Sequence, residues 1–100
     1  MSVDSAPALE NPVSRQATIC NRRGLHARAA AKFVKLVGSF QSTVTVSKDG
    51  NSVSGDSIMG LMMLAASPGC RISVSATGPE AKKALDALET LIANRFGEEN

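Results

Sequence analysis

The chain has 100 residues, 43% of them hydrophobic, with three phenylalanines and neither tyrosine nor tryptophan, which predicts one domain with a small core of Ala, Val, Ile, Leu and Met. Its formal charge of +2 is too slight to argue for a nucleic-acid partner, and its longest apolar run, from Ile58 to Ala66 and broken by Gly60, is far too short to cross a bilayer. Cys20 and Cys70, with no secretory pattern before them, make no disulfide framework and read as reduced thiols of a cytoplasmic protein.

Residues 1–15 hold Pro7, Pro12, Ser, Asp and Glu without periodicity and read as a flexible tail, leaving 16–97 as the folded domain. Gln16 to Cys20 alternates, with Ala17 and Ile19 on one side, and predicts a short half-buried strand. At Gly24 the backbone is free to turn sharply. Ala27, Ala30, Ala31, Val34 and Val37 then recur at helical spacing, which predicts a helix from Ala27 to Val37 that stops at Gly38 in a left-handed cap.

Thr43 to Lys48 alternates around Val44 and Val46. Asp49-Gly50 is a two-residue hairpin signal, and the return strand falls at Asn51 to Ser54. Gly55-Asp56-Ser57 reads as a breaker followed by capping residues. Ile58, Leu61, Met62 and Ala65 then form a short apolar helical face, which Ser67-Pro68-Gly69 ends. From Cys70 to Thr77 the alternation returns, with Ile72, Val74 and Ala76 inward. Pro79 opens the last helix at its first position, Ala81, Ala84, Leu85, Leu88, Leu91 and Ile92 form its stripe, and Gly97 closes it. This order, βαββαβα, predicts an α+β open-faced sandwich, a sheet with one solvent face and helices over the other. The first six elements also fit a ferredoxin-like domain.

Chemistry concentrates in Asn21-Arg22-Arg23-Gly24-Leu25-His26-Ala27-Arg28, which carries the only histidine. His26 stands at the mouth of a helix, where unpaired backbone N–H groups and the helix dipole can hold an anion. Arg28 is close enough in sequence to add a guanidinium fork to a phosphate resting on the imidazole. More often, such a histidine is a loop residue or a partly buried spacer. Between Asn21 and Val37, however, Arg22, Arg23, Arg28, Lys32 and Lys35 are unopposed by any acid, which favours incoming phosphate or an acidic partner. No carboxylate, cysteine or second histidine in that stretch makes a metal set, so neither metal nor cofactor is expected.

Gly24-Leu25-His26-Ala27-Arg28 resembles the active-site signature of HPr, the histidine phosphocarrier family of the bacterial phosphotransferase system. Asp56-Ser57-Ile58-Met59-Gly60-Leu61-Met62 resembles the family's second signature, and the likeness runs from about Ala17 to Phe96. It departs from the family at Ala29, where proline is usual and would pre-set φ in the first helical turn. The resemblance implies a four-stranded antiparallel sheet in the order 1-4-2-3, three helices on one face, and a monomeric carrier that is not itself an enzyme. It also implies that His26 accepts a phosphoryl group on Nδ1, the pros rather than the tele nitrogen, from enzyme I and passes it to enzyme IIA-type proteins in sugar transport. Arg28 would stabilise the phosphoryl group. Ser57 would be a regulatory site for a dedicated HPr kinase/phosphorylase.

Docking of these partners is expected on Leu25, Arg22, Arg23, Ile58, Met59 and Met62, because the second helix is more apolar than one buried face requires. The bland alternatives are that Ser57 only caps its helix and that the methionines fill the core. Two other functions compete with the relay. One is a regulatory module of the nitrogen-related branch, which Asn21 and Ala76-Thr77-Gly78-Pro79 resemble. The other is a ferredoxin-like RNA-binding domain, whose sheet should carry stacking aromatics where this chain has Ser, Thr and Arg.

Overall fold

The computed structural model describes residues 12–99. Strand β1 spans Val13–Thr18, helix α1 Ala27–Val37, β2 Thr43–Lys48, β3 Asn51–Ser54, α2 Ile58–Met63, β4 Arg71–Thr77 and α3 Ala81–Ala93. The strands form one antiparallel sheet in the order β1-β4-β2-β3, and α1, α2 and α3 pack on one face of it. The expected architecture is the observed one.

Alternation decides which side of the sheet is dry. Val44, Val46, Ile72, Val74 and Ala76 turn toward the helices and are buried. On the other side Thr43, Thr45 and Ser47 stand beside Thr77, Ser75 and Ser73. Hydroxyl contacts continue outward to both edge strands, at 2.8 Å between Ser47 and Ser52 and 3.5 Å between Ser75 and Ser14. This floor carries no aromatic residue, so the stacking platform an RNA-binding sheet would need is absent from it.

Strand β1 begins at Val13 rather than Gln16, so three residues expected in the tail belong to the sheet. Of the rest of that expected tail, Pro12 is exposed and 1–11 lie outside the described residues. Arg15 accounts for the longer strand: it reaches Asp86 and, at 3.1 Å, Glu89 on α3, tying the edge strand to the helix above it.

Helix α1 has the expected limits but a different buried stripe. Ala29, Ala30, Phe33 and Val37 are buried, whereas Ala27 and Ala31 are exposed. Phe33 explains the rotation: it is the bulkiest apolar side chain of the helix, and burying it offsets exposure of two methyl groups. With Phe96 it is among the largest fully buried side chains, so the core is not purely aliphatic. Gly38 takes right-handed φ and ψ of −66° and −13° instead of a left-handed cap. Its N–H bonds Val34 O at 3.0 Å, and the Ser39 and Phe40 amides bond the Leu36 and Val37 carbonyls, so the helix unwinds through tightened turns.

Helix α2 leaves Ile58, Met59 and Met62 exposed, as its surplus of apolar residues over one buried face implies. Only Leu61 is buried, while Met62 is 41% and Met63 79% exposed. Six residues cannot turn more than about one stripe inward, and Leu61 and Leu64 fill the space under it. The methionines therefore stay outside the core. Helix α3 starts at Ala81 with Glu80 as N-cap, so Pro79 precedes the helix and lies in the turn before it. Its stripe is as expected, but the helix ends at Ala93, four residues before Gly97. Arg95, Phe96 and Gly97 then adopt positive φ of 58°, 54° and 77°, a left-handed turn that sends the chain back toward α1.

Candidate functional site

Gly24 sets the loop that delivers His26. Its φ is +66°, and a Cβ there would meet the Ala66 carbonyl oxygen at 2.3 Å. Leu25 N–H donates to that oxygen at 2.9 Å, which pins the loop to the segment following α2. Leu25 is only 4% exposed. It is a core anchor for the loop, which removes it from the expected docking surface.

His26 is the N-cap of α1, extended at φ −75° and ψ 178°, and its side chain makes no capping bond. Its carbonyl receives the first intrahelical bond, from Ala30 N–H at 2.8 Å. The amides of Ala27, Arg28 and Ala29 thus have no intrahelical partner, and they carry the positive end of the helix dipole. Ala29 forms an ordinary buried helical turn, so proline is not needed to start this helix.

The imidazole is half-buried, its side chain 16% exposed, with Nε2 2.5 Å from Glu98 Oε2. Glu98 Oε1 accepts from Asn21 Nδ2 at 3.0 Å, and the same amide donates to Gly24 O at 2.8 Å. Asn21 is fully buried, and its Oδ1 has no partner among the described residues. Asn21 foremost, then His26 and Lys32, hold the Glu98 carboxyl below the usual carboxylate range against the opposing effect of its own desolvation. Because an ionised carboxylate only accepts, the ring must donate Nε2–H to it, so Nδ1 is the nitrogen that carries the lone pair whenever the ring is neutral.

Beside the ring lies a cleft of about 310 Å³ lined by Arg22, Arg23, Arg28, Glu98 and Glu99. Three guanidinium groups against two carboxylates leave it cationic, so a phosphate-sized anion is attracted there. The expected residues Arg22, Arg23 and Arg28 come together at this cleft, which adjoins His26 through Glu98. Ser57 stands apart from it as the N-cap of α2, its hydroxyl accepting from Gly60 N–H at 2.9 Å. Next to it Ile58, Met59 and Met62 are exposed, as a docking patch requires, and α2 packs against α1.

Two residues of the site were not singled out for it from the sequence. Asn21 is its hub and Glu98 touches the imidazole. The basic run from Arg22 to Lys35 without an acid, set against the acidic Glu98-Glu99 pair, was the available signal. No local spacing relates the two. Among the described residues no cluster of His, Cys, Asp and Glu is arranged to hold a metal, and no helix is long and apolar enough to cross a membrane.

The family model described as PTS HPr component phosphorylation site matches residues 13–94. The phosphocarrier protein HPr of Cupriavidus necator is 51% identical over 86 residues, covering 86% of this chain and 97% of that relative. A phosphocarrier protein NPr from Shewanella violacea is 40% identical over 86 residues, covering 86% and 94%. The crystal structure of HPr-C-His from Thermoanaerobacter tengcongensis superposes with a TM-score of 0.84 at 42% identity, covering 88% of this chain and 99% of that one.

Proposed function

The chain belongs to the HPr family of phosphotransferase-system phosphocarriers, and from that premise we propose that His26 is the residue that carries the phosphoryl group, on Nδ1. The carrier is loaded and emptied rather than acting as a catalyst. One observation supports the assignment above the others: the Glu98 contact at 2.5 Å occupies Nε2, so in the neutral ring the lone pair is on Nδ1. The free lone pair is the nucleophile.

In the proposed reaction the donor is a phosphorylated enzyme I and the acceptor an enzyme IIA-type protein, both met in the cytoplasm by a monomeric carrier. Nδ1 attacks phosphorus in line with the bond to the donor. The unpaired amides at the start of α1 and the Arg28 guanidinium then face the charge spread over the phosphoryl oxygens. The cleft is open to solvent, which suits a carrier. A site that gripped the group deeply would oppose its onward transfer.

Arg22 and Arg23 meet acidic partner residues in this reading, while Ile58, Met59 and Met62 supply an adaptable apolar contact. Ser57 is the proposed regulatory phosphorylation site. A phosphate there would add about two negative charges next to the docking patch. The nitrogen-related branch remains the second reading, favoured by the NPr relative at 40% identity.

Phosphoenolpyruvate and enzyme I supply the test. Acid-labile, base-stable phosphate should appear on the wild-type chain and not on His26→Ala, and label that persists in the variant defeats the assignment. Ser57 is tested separately with an HPr kinase and ATP, where Ser57→Ala should take up no phosphate.

A further inference from the structure

Three consecutive residues of positive φ, two of them not glycine, are an unusual way to follow a helix. A non-glycine residue in the left-handed region is strained by its own Cβ, so something must hold the turn at Arg95, Phe96 and Gly97. The Phe96 ring is fully buried, and Lys32 Nζ donates to the Phe96 carbonyl at 2.6 Å. With the turn anchored at both points, the next side chain, Glu98, is delivered to Asn21 and His26. Strain of this kind, over-determined by its surroundings, is found where a group must be held in place for chemistry.

We propose that Glu98 is a positioning residue for phosphoryl transfer: it fixes the imidazole tautomer, and it offsets the positive charge the ring acquires when Nδ1 bonds to phosphorus. This rests on His26 being the acceptor. In the loading step the Nδ1 lone pair forms the N–P bond, and the donor's N–P bond breaks with its electron pair returning to the donor nitrogen. Nε2 keeps its proton, so the ring passes from neutral to cationic against the carboxylate 2.5 Å away. In the unloading step the same proton allows the ring to leave as neutral imidazole. Holding a histidine by a carboxylate has the same physical basis in the Ser-His-Asp triad, where the acid orients the ring and stabilises the imidazolium without taking its proton.

Asn21 completes the arrangement from the other oxygen of Glu98. Its amide fixes the carboxylate while also holding the Gly24 carbonyl, so ring, acid and loop are bound together. Removing the charge and removing the hydrogen bond are therefore separable. Gln at 98 can still present an oxygen to Nε2–H but carries no charge; Ala presents neither.

The experiment compares wild type, Glu98→Gln, Glu98→Ala and His26→Ala. It reads imidazole ¹⁵N chemical shifts for the tautomer and single-turnover transfer from phosphorylated enzyme I for the rate. Glu98→Gln should keep the Nε2–H tautomer and slow transfer about tenfold, with the saturating single-turnover rate falling and the half-saturating concentration unchanged, since a charge-assisted bond is replaced by a neutral one. Glu98→Ala should mix the tautomers and slow transfer further. Thermal melting and the backbone amide spectrum identify folded variants. A Glu98→Gln protein that transfers at the wild-type rate, or a Glu98→Ala protein that keeps the tautomer, overturns the proposal. Label on His26→Ala defeats instead the reading on which it rests.

Discussion

Replacing Gly24 by alanine tests how the loop is held, with Gly50→Ala as its control. Both glycines have positive φ, +66° and +84°, but a Cβ at Gly50 meets nothing within 4 Å, whereas at Gly24 it lies 2.3 Å from the Ala66 oxygen and 3.1 Å from Ser67 Cα. The control therefore isolates the left-handed penalty, roughly 1–2 kcal/mol. At Gly24 the same penalty is joined by displacement of the Ala66 carbonyl, which costs the Leu25 N–H bond about 0.5–1.5 kcal/mol. The sum is about 1.5–3.5 kcal/mol. For a domain of this size each kcal/mol lowers Tm by roughly 4–8 °C, so the extra ~0.5–1.5 kcal/mol should make Gly24→Ala melt about 2–12 °C below Gly50→Ala when both are followed by circular dichroism. Equal melting temperatures would refute the close approach between the loop and the segment after α2.

Arg28→Ala should slow phosphoryl transfer by roughly 10- to 100-fold, the loss of one charge-assisted donor, with melting unchanged because the side chain is exposed; stopped transfer assays check the rate. Ser57→Ala should cost about 1 kcal/mol through the lost cap, read as a fall of roughly 4–8 °C in Tm, and Ser57→Asp should restore most of it. The Glu98 carboxyl is held below the usual carboxylate range in the folded protein, so the unfolded chain binds its proton first. Its stabilising contribution is full above the ordinary carboxylate pKa and is lost as pH falls toward the folded value. Acid denaturation of Glu98→Gln should therefore be shallower over that interval. Phe33→Ala should destabilise by about 3–5 kcal/mol and Met63→Ala by less than about 0.5 kcal/mol, a contrast that chemical denaturation measures and that equal values would contradict.

The elements were legible because each carries its own punctuation. Val44 and Val46 alternate, Asp49-Gly50 turns the hairpin with φ of 51° and 84°, and Ser57 caps α2 as its position before an apolar run implies. His26 was legible from one glycine and one helix start. What sequence reasoning misplaced were matters of competition between side chains. Phe33 outweighs Ala27 and Ala31 for the inward face of α1. Leu25 looks like a surface residue of a loop until the Ala66 contact is known. Glu98 was out of reach because 72 residues separate it from His26, and only the folded left-handed turn after α3 brings the two together.

The hydroxyl floor on the back of the sheet determines how the molecule can be handled. Away from Arg71 at its end, side chains such as Thr45, Ser73 and Ser75 offer an incoming protein neither fixed charge nor greasy area, so the middle of that face gives it little to hold. A tether or a fluorophore placed at Ser75 would leave the reactive pole free, which makes that position the natural point of attachment for immobilised or single-molecule transfer measurements.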